Sequence, residues 1–139
     1  MNVAYVSGPY LAPTTQGIAE NIWEARQIAL ALWRQGWAVI CPHMNTAHCD
    51  GAIYPDNPVA DRHAWLRGDI EFVNRLIPGR DALVMSPRWR ESSGAKEERA
   101  AAINRGVMVY EWPDDEAVLA VAAQMTAYVV LPMREEPDD

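Results

Sequence analysis

The chain has 139 residues, half of them hydrophobic, which suits one domain with a sizeable core. It carries 12 Lys and Arg against 19 Asp and Glu, a net charge of −7, which argues against a non-specific grip on a nucleic acid polymer. No stretch is apolar for long enough to span a membrane, and two cysteines, Cys41 and Cys49, make no disulfide framework.

The start, "MNVAYVSGPY", lacks the basic and long apolar regions of a signal peptide, so a cytoplasmic location is the simplest expectation. Residues 2–7 read as a buried strand, followed by a loop rich in Gly and Pro. From Ile18 to Gln35 the apolar residues recur at steps of three and four, the spacing of an amphipathic helix, and Gly36 follows as its stop. A second strand is expected over residues 37–41. Residues 42–58 show no periodicity and read as a long loop, a kind that in small domains is usually functional or mobile.

A second helix is expected from about Val59 to Leu76 or Ile77, and a third strand over residues 81–86. After the loop "PRWRES" a third helix runs from Gly94 to Arg105, ended by Gly106. Residues 107–111 read as a fourth strand, 115–125 as a short helix and 127–131 as a fifth strand. The acidic end, residues 133–139, reads as a solvated tail on a domain of residues 1–132.

Strands alternating with helices predict an α/β domain with a doubly wound, flavodoxin-like parallel sheet of five strands in the order 2-1-3-4-5. Such sheets bind ligands outside the carboxyl ends of the strands, near the switch point between strands 1 and 3. That rule selects the loops after Ser7, Cys41, Ser86 and Tyr110.

Two carboxylates stand out near those loops. Asp69 projects inside the apolar arc formed by Trp65, Leu66, Ile70, Val73, Leu76 and Ile77 of the second helix. An unpaired charge there is costly, so Asp69 is either a core carboxylate with partners or an active-site group. Glu98 lies one turn into the third helix, on the edge of a face made of Ala95, Ala102 and Gly106. It either supports the helix dipole or stands as a nucleophile at the mouth of the sheet. Two carboxylates converging on one cleft, one nucleophile and one acid, are what cleavage of a glycosidic bond requires. Asp81 opens a strand at the opposite end of the sheet and reads as structural.

Ser92, Ser93 and Gly94 lead into the third helix, as a plain cap on Ser93 or Gly94 or as an anion cradle. Ser7, Gly8 and Tyr10 form a tight turn after the first strand. Gly8 would let a ligand approach the backbone and Tyr10 could stack on a base or touch a sugar. His43, after Pro42, lies in reach of a substrate. Arg88 and Arg90 are either phosphate partners or solvated loop residues. His43, His48, His63 and Cys49 match no zinc spacing well, and no metal or cofactor is expected.

The segments "VAYVSGPY", "NIWEARQIALALWRQGWAVICPH" and "LRGDIEFVNRLIPGRDALVMSPRWRESSGAKEERAAAINRGVMVY" together resemble the nucleoside 2-deoxyribosyltransferase-like superfamily over about residues 3–110. The pattern is a Ser-Gly-Pro turn, an Asp on the second helix and Ser-x-Gly-Ala-x-x-Glu. The resemblance implies a homo-oligomer that cleaves an N-glycosidic bond. It puts the nucleophile on Glu98, a second active-site carboxylate on Asp69 and ligand contacts on Gly8, Tyr10, Ser92 and Gly94. Where the deoxyribosyltransferases have an aspartate for the sugar hydroxyls, this chain has Ser92. In that it resembles the 2′-deoxynucleoside 5′-phosphate N-hydrolases, in which a serine helps hold phosphate. The expected substrate is therefore a (deoxy)nucleoside 5′-monophosphate. The alternatives are a deoxyribosyltransferase, a non-catalytic nucleotide-binding module and a glycohydrolase of NAD type.

Overall fold

Strand β1 (Val3–Ser7) lies at the centre of a parallel sheet and alternates its side chains between two different cores. Ala4 and Val6 face one way, against α1 (Thr15–Gln35), while Tyr5 faces the other. The computed structural model describes residues 1–47 and 62–130, the side chains of residues 62–63 and 125–130 excepted. β1 pairs with β2 (Ala38–Ile40) on one side and β3 (Ala82–Met85) on the other, and β4 (Met108–Glu111) pairs with β3.

The sheet has four strands among the described residues, in the order 2-1-3-4. The fifth strand expected over residues 127–131 is not formed. Residues up to Val130 belong instead to α5 (Glu116–Val130), and Leu131 lies outside the described residues. The physical reason is continuity: the segment from Glu116 to Val130 is rich in Ala and contains no Gly or Pro to stop a helix once begun.

One face of the sheet is covered by α1 and α5, through Ile28, Leu32, Trp37 and Leu119. The other is covered by α3 (Arg62–Asn74) and α4 (Ser93–Arg105), through Val73, Leu76, Ala95 and Ala102. All four residues of β3 are buried, as a strand covered on both faces must be. Gly36 and Gly106 end α1 and α4 with φ of 102° and 74°, conformations open to glycine at little cost. Asp81 caps the lower end of the sheet: its Oδ1 accepts from the Val3 N–H at 2.9 Å and its Oδ2 from the Ile77 N–H at 2.7 Å.

The loop expected over residues 42–58 begins instead with a short helix, α2 (Pro42–Asn45), started by Pro42 at its first position. Residues 48–58 of that loop, residues 59–61 of the expected second helix and the acidic tail lie outside the described residues. Among the described residues no helix is long and apolar enough to cross a membrane.

The chain leaves β1 for β2 on one side and returns to β3 on the other, so the loops after β1 and β3 part company at the carboxyl end of the sheet. The Ser86 N–H donates to the Ser7 carbonyl at 2.8 Å, the last rung before they diverge.

Candidate active site

A cavity of about 470 Å³ opens at that divergence. Asp69 of α3 and Glu98 of α4 both line it, together with Gly8, Tyr10, His43, Ser92, Ser93 and Gly94. Apolar walls come from Pro9, Leu11, Pro42, Trp65 and Leu66.

Glu98 is only 7 % exposed. Its pKa is raised to about 8, chiefly by burial and further by the charge of Asp69, against the Tyr5 and Ser7 hydroxyls, which lower it. Neither hydroxyl completes a well-aligned hydrogen bond. Glu98 Oε2, Tyr5 Oη and Ser7 Oγ are all buried without a partner among the described residues. Asp69 is half-buried, and burial raises its pKa to about 6. The two acids thus sit apart on the pH scale within one largely apolar space.

Ser7 does not line the cavity. It alternates to the same side of β1 as Tyr5 and is 1 % exposed, so its hydroxyl acts on the Glu98 carboxyl from behind rather than on a ligand. Gly8 does line the cavity, but its lack of a side chain answers a different need. A Cβ there would stand 2.1 Å from Ser86 Oγ and 2.8 Å from Ser86 Cβ, so the glycine lets the loops after β1 and β3 lie against each other.

Tyr10 is held at two points. Its carbonyl accepts from the Asn21 side-chain amide at 2.9 Å, and its hydroxyl donates to the Ala47 carbonyl at 3.0 Å. Its ring meets that of His43 edge to face at 5.9 Å. His43 is buried, which lowers its pKa, and Nε2–H donates to the Pro9 carbonyl at 2.8 Å. The imidazole is therefore neutral at pH 7 and clamps the turn after β1 to α2. Cys41, just ahead of α2, is a buried free thiol, pushed up to about 11 by burial and so protonated near neutral pH.

The cap of α4 is Ser92, not Ser93 or Gly94. The Ser92 backbone is extended at φ −112° and ψ 120°, and its Oγ accepts from the Ala95 N–H at 3.1 Å. A 3₁₀ turn over Trp89–Glu91 delivers it in that conformation. The Ser92 hydroxyl is thereby engaged, while Ser93 and Gly94 bring the first backbone amides of α4 to the cavity wall. Gly94 also packs closely on α3: a Cβ there would stand 3.0 Å from Leu66 Cδ2.

Neither loop arginine reaches the cavity. Arg88 donates to Asn21 Oδ1 at 2.6 Å and pairs with Glu24 at 3.2 Å, pinning the loop to α1. Arg90 pairs with Glu111 at 3.3 Å and lies over the Trp89 ring. Among the described residues no Lys or Arg lines the cavity, while Glu91 joins Asp69 and Glu98 as a third acid.

Sequence reasoning missed Tyr5, Trp65, Leu66 and Glu91 as parts of the site. Strand alternation carried a signal for Tyr5, since a residue in register with Ser7 on a strand covered on both faces must meet the helix opposite. Among the described residues no group of three His, Cys, Asp or Glu side chains is placed to hold a metal; His48 and Cys49 lie outside them, as does the His63 side chain. No protein-family model matches the chain, and a search of the curated proteins finds no match.

Proposed function

We propose that the chain is an N-glycosidase that cleaves the N-glycosidic bond of a (deoxy)nucleoside 5′-monophosphate. The observation that carries this reading is the pair Asp69 and Glu98, brought by two helices to one apolar cavity with pKa values of about 6 and 8. Between those values the pair holds one proton, so one acid and one base are present together. Glu98 attacks C1′ as a carboxylate, forming a glycosyl ester as the bond to the base breaks. Positive charge developing at C1′ favours the ionised form of Glu98, which in the empty cavity is mostly protonated at pH 7. As Glu98 ionises, the one proton of the pair passes to Asp69, which gives it to the leaving base; water then adds at C1′, breaks the ester and releases the sugar. Tyr5 and Ser7, behind Glu98, steady its ionised form.

The 5′-phosphate is assigned to the start of α4, where first-turn amides and the helix dipole favour an anion. The resemblance in "SSGAKEE" supports this end of the substrate. A second reading, a deoxyribosyltransferase acting on uncharged nucleosides, is favoured by the lack of any described Lys or Arg on the wall and by the capping role of the Ser92 hydroxyl. The superfamily resemblance also implies a homo-oligomer. Trp23 and Trp33 on α1, 61 % and 51 % exposed, offer apolar surface for it.

The test is base release from a panel of nucleosides and nucleoside 5′-monophosphates by the unaltered protein and by Glu98→Ala. The reading expects release from a monophosphate that the substitution abolishes. Equal release by both proteins sinks it. Addition of a second free base, with formation of exchanged nucleoside, marks the transferase.

A further inference from the structure

We infer that the cavity prefers N-glycosides whose base carries a positive charge, the pyridinium type above all. This rests on the glycosidase reading for its chemistry but on separate observations for its selectivity. Asp69, Glu91 and Glu98 all line the cavity; Glu91 is paired with Arg88 at 3.6 Å, while no described Lys or Arg pairs with Asp69 or Glu98. The two arginines of the loop before α4 are already paired, Arg88 with Glu24 and Glu91, Arg90 with Glu111. Glu98 lines the cavity and is buried, and its Oε2, shut off from solvent, has no hydrogen-bond partner among the described residues. Among the described residues, the other groups that act on it are Tyr5 and Ser7 from β1, Asp69 from α3, Glu97 on its own helix and the Cys41 thiol ahead of α2; none of these supplies a cation. A buried carboxylate with no counter-charge is stabilised most by a ligand that brings one.

The apolar walls fit the same ligand. Tyr10 and Trp65 present aromatic surface beside the acids, and a flat cation gains from both. The chemistry also simplifies. When the C1′–N bond of a pyridinium glycoside breaks, its electron pair neutralises the ring nitrogen, and a neutral pyridine leaves without being protonated. Glu98 forms the ester to C1′. Water then adds at C1′, breaks the ester, returns the Glu98 carboxylate and releases one proton to solvent. No acid is needed for departure, so a raised pH that ionises both carboxylates does not stop this substrate.

A cationic ligand also draws the proton from Glu98 as it binds, whereas a dianionic phosphate drives protonation. The sign of proton exchange on binding therefore reports which charge the cavity accepts.

The experiment compares 3-carbamoylpyridinium riboside with its 1,4-dihydropyridine twin, equal in shape and uncharged, by calorimetry on Glu98→Gln and on the unaltered protein in two buffers of different ionisation enthalpy. The 5′-monophosphates of both are run as a second pair. The inference expects the pyridinium member to bind the unaltered protein at least about tenfold more tightly, with proton release, and expects that preference to shrink in Glu98→Gln. Equal binding of the twins, tighter binding of the uncharged one, or failure of the pyridinium member to bind overturns it. Base release is followed in parallel and separates the two readings. Selective binding without cleavage keeps the charge preference and removes the glycosidase. Cleavage of neutral nucleosides with no preference between the twins does the reverse.

Discussion

Asp69 and Glu98 reach the wall of one cavity from two different helices, and the charge of Asp69 adds to burial in lifting the Glu98 pKa to about 8. Asp69 itself sits at about 6. A reaction that needs one of them protonated and the other ionised runs fastest between those values. For a substrate with an uncharged base, kcat/KM should rise through about pH 6 and fall through about pH 8. Tyr5→Phe removes a group that lowers the Glu98 pKa, so the alkaline limb should move to higher pH while the acid limb stays. A flat profile across this range, or an alkaline limb that moves down in Tyr5→Phe, contradicts the pairing.

The same shift sets a sign for stability. The Glu98 pKa is raised in the fold from an ordinary 4.5 to about 8. Stability associated with the protonated group is then fully present below about 4.5 and is lost as pH rises through 8. Glu98→Gln keeps the shape without the ionisation. In urea denaturation the variant should match the parent near about pH 4 and exceed it by on the order of a few kcal/mol near about pH 9. A variant that is less stable than the parent at the higher pH would show that Glu98 has a hidden counter-charge.

Gly8 and Ser86 lie too close for any side chain at position 8. Gly8→Ala places a Cβ 2.1 Å from Ser86 Oγ and should cost about 1–3 kcal/mol. Ser86→Gly removes both clashing atoms, so the double variant should recover much of the loss attributable to the clash, measured as a coupling between the two substitutions in thermal or urea unfolding. Additive effects would mean that Gly8 is required for something other than this approach.

Ser92 caps α4 through the Ala95 N–H. Ser92→Ala should lower stability by about 1 kcal/mol, and Ser92→Asp, which caps as well, should not. The added negative charge beside the first-turn amides should nevertheless weaken binding of a nucleoside 5′-monophosphate more than of the matching nucleoside. Equal weakening of both would place the phosphate elsewhere.

Much of the fold is legible from local pattern because the pattern has one physical cause. The helix spacing from Ile18, the stops at Gly36 and Gly106, and the buried runs at β1 and β3 each follow from burial or from a positive φ. The end of the chain is harder. Residues 127–130 are apolar and partly β-branched, fit for a strand, and are decided by the helix that runs into them without a terminator. The cap at Ser92 is set by the 3₁₀ turn before it, which the spacing of two adjacent serines does not disclose. Asp69 was legible because a charge inside an apolar arc is an anomaly. Tyr5 was not, because alternation tells that it is buried but not that a carboxylate from α4 lies over it. The fates of Arg88 and Arg90 were beyond local reading, since Glu24, Asn21 and Glu111 are far from them in sequence.

The most direct measurement is mass spectrometry of the protein quenched during turnover with a 2′-deoxy-2′-fluoro nucleoside 5′-monophosphate, whose glycosyl ester hydrolyses slowly because the fluorine beside C1′ opposes positive charge there. The account predicts a sugar phosphate adduct on the peptide that contains Glu98, absent from Glu98→Gln. An adduct on another residue, or base release that persists undiminished in Glu98→Gln, would contradict it.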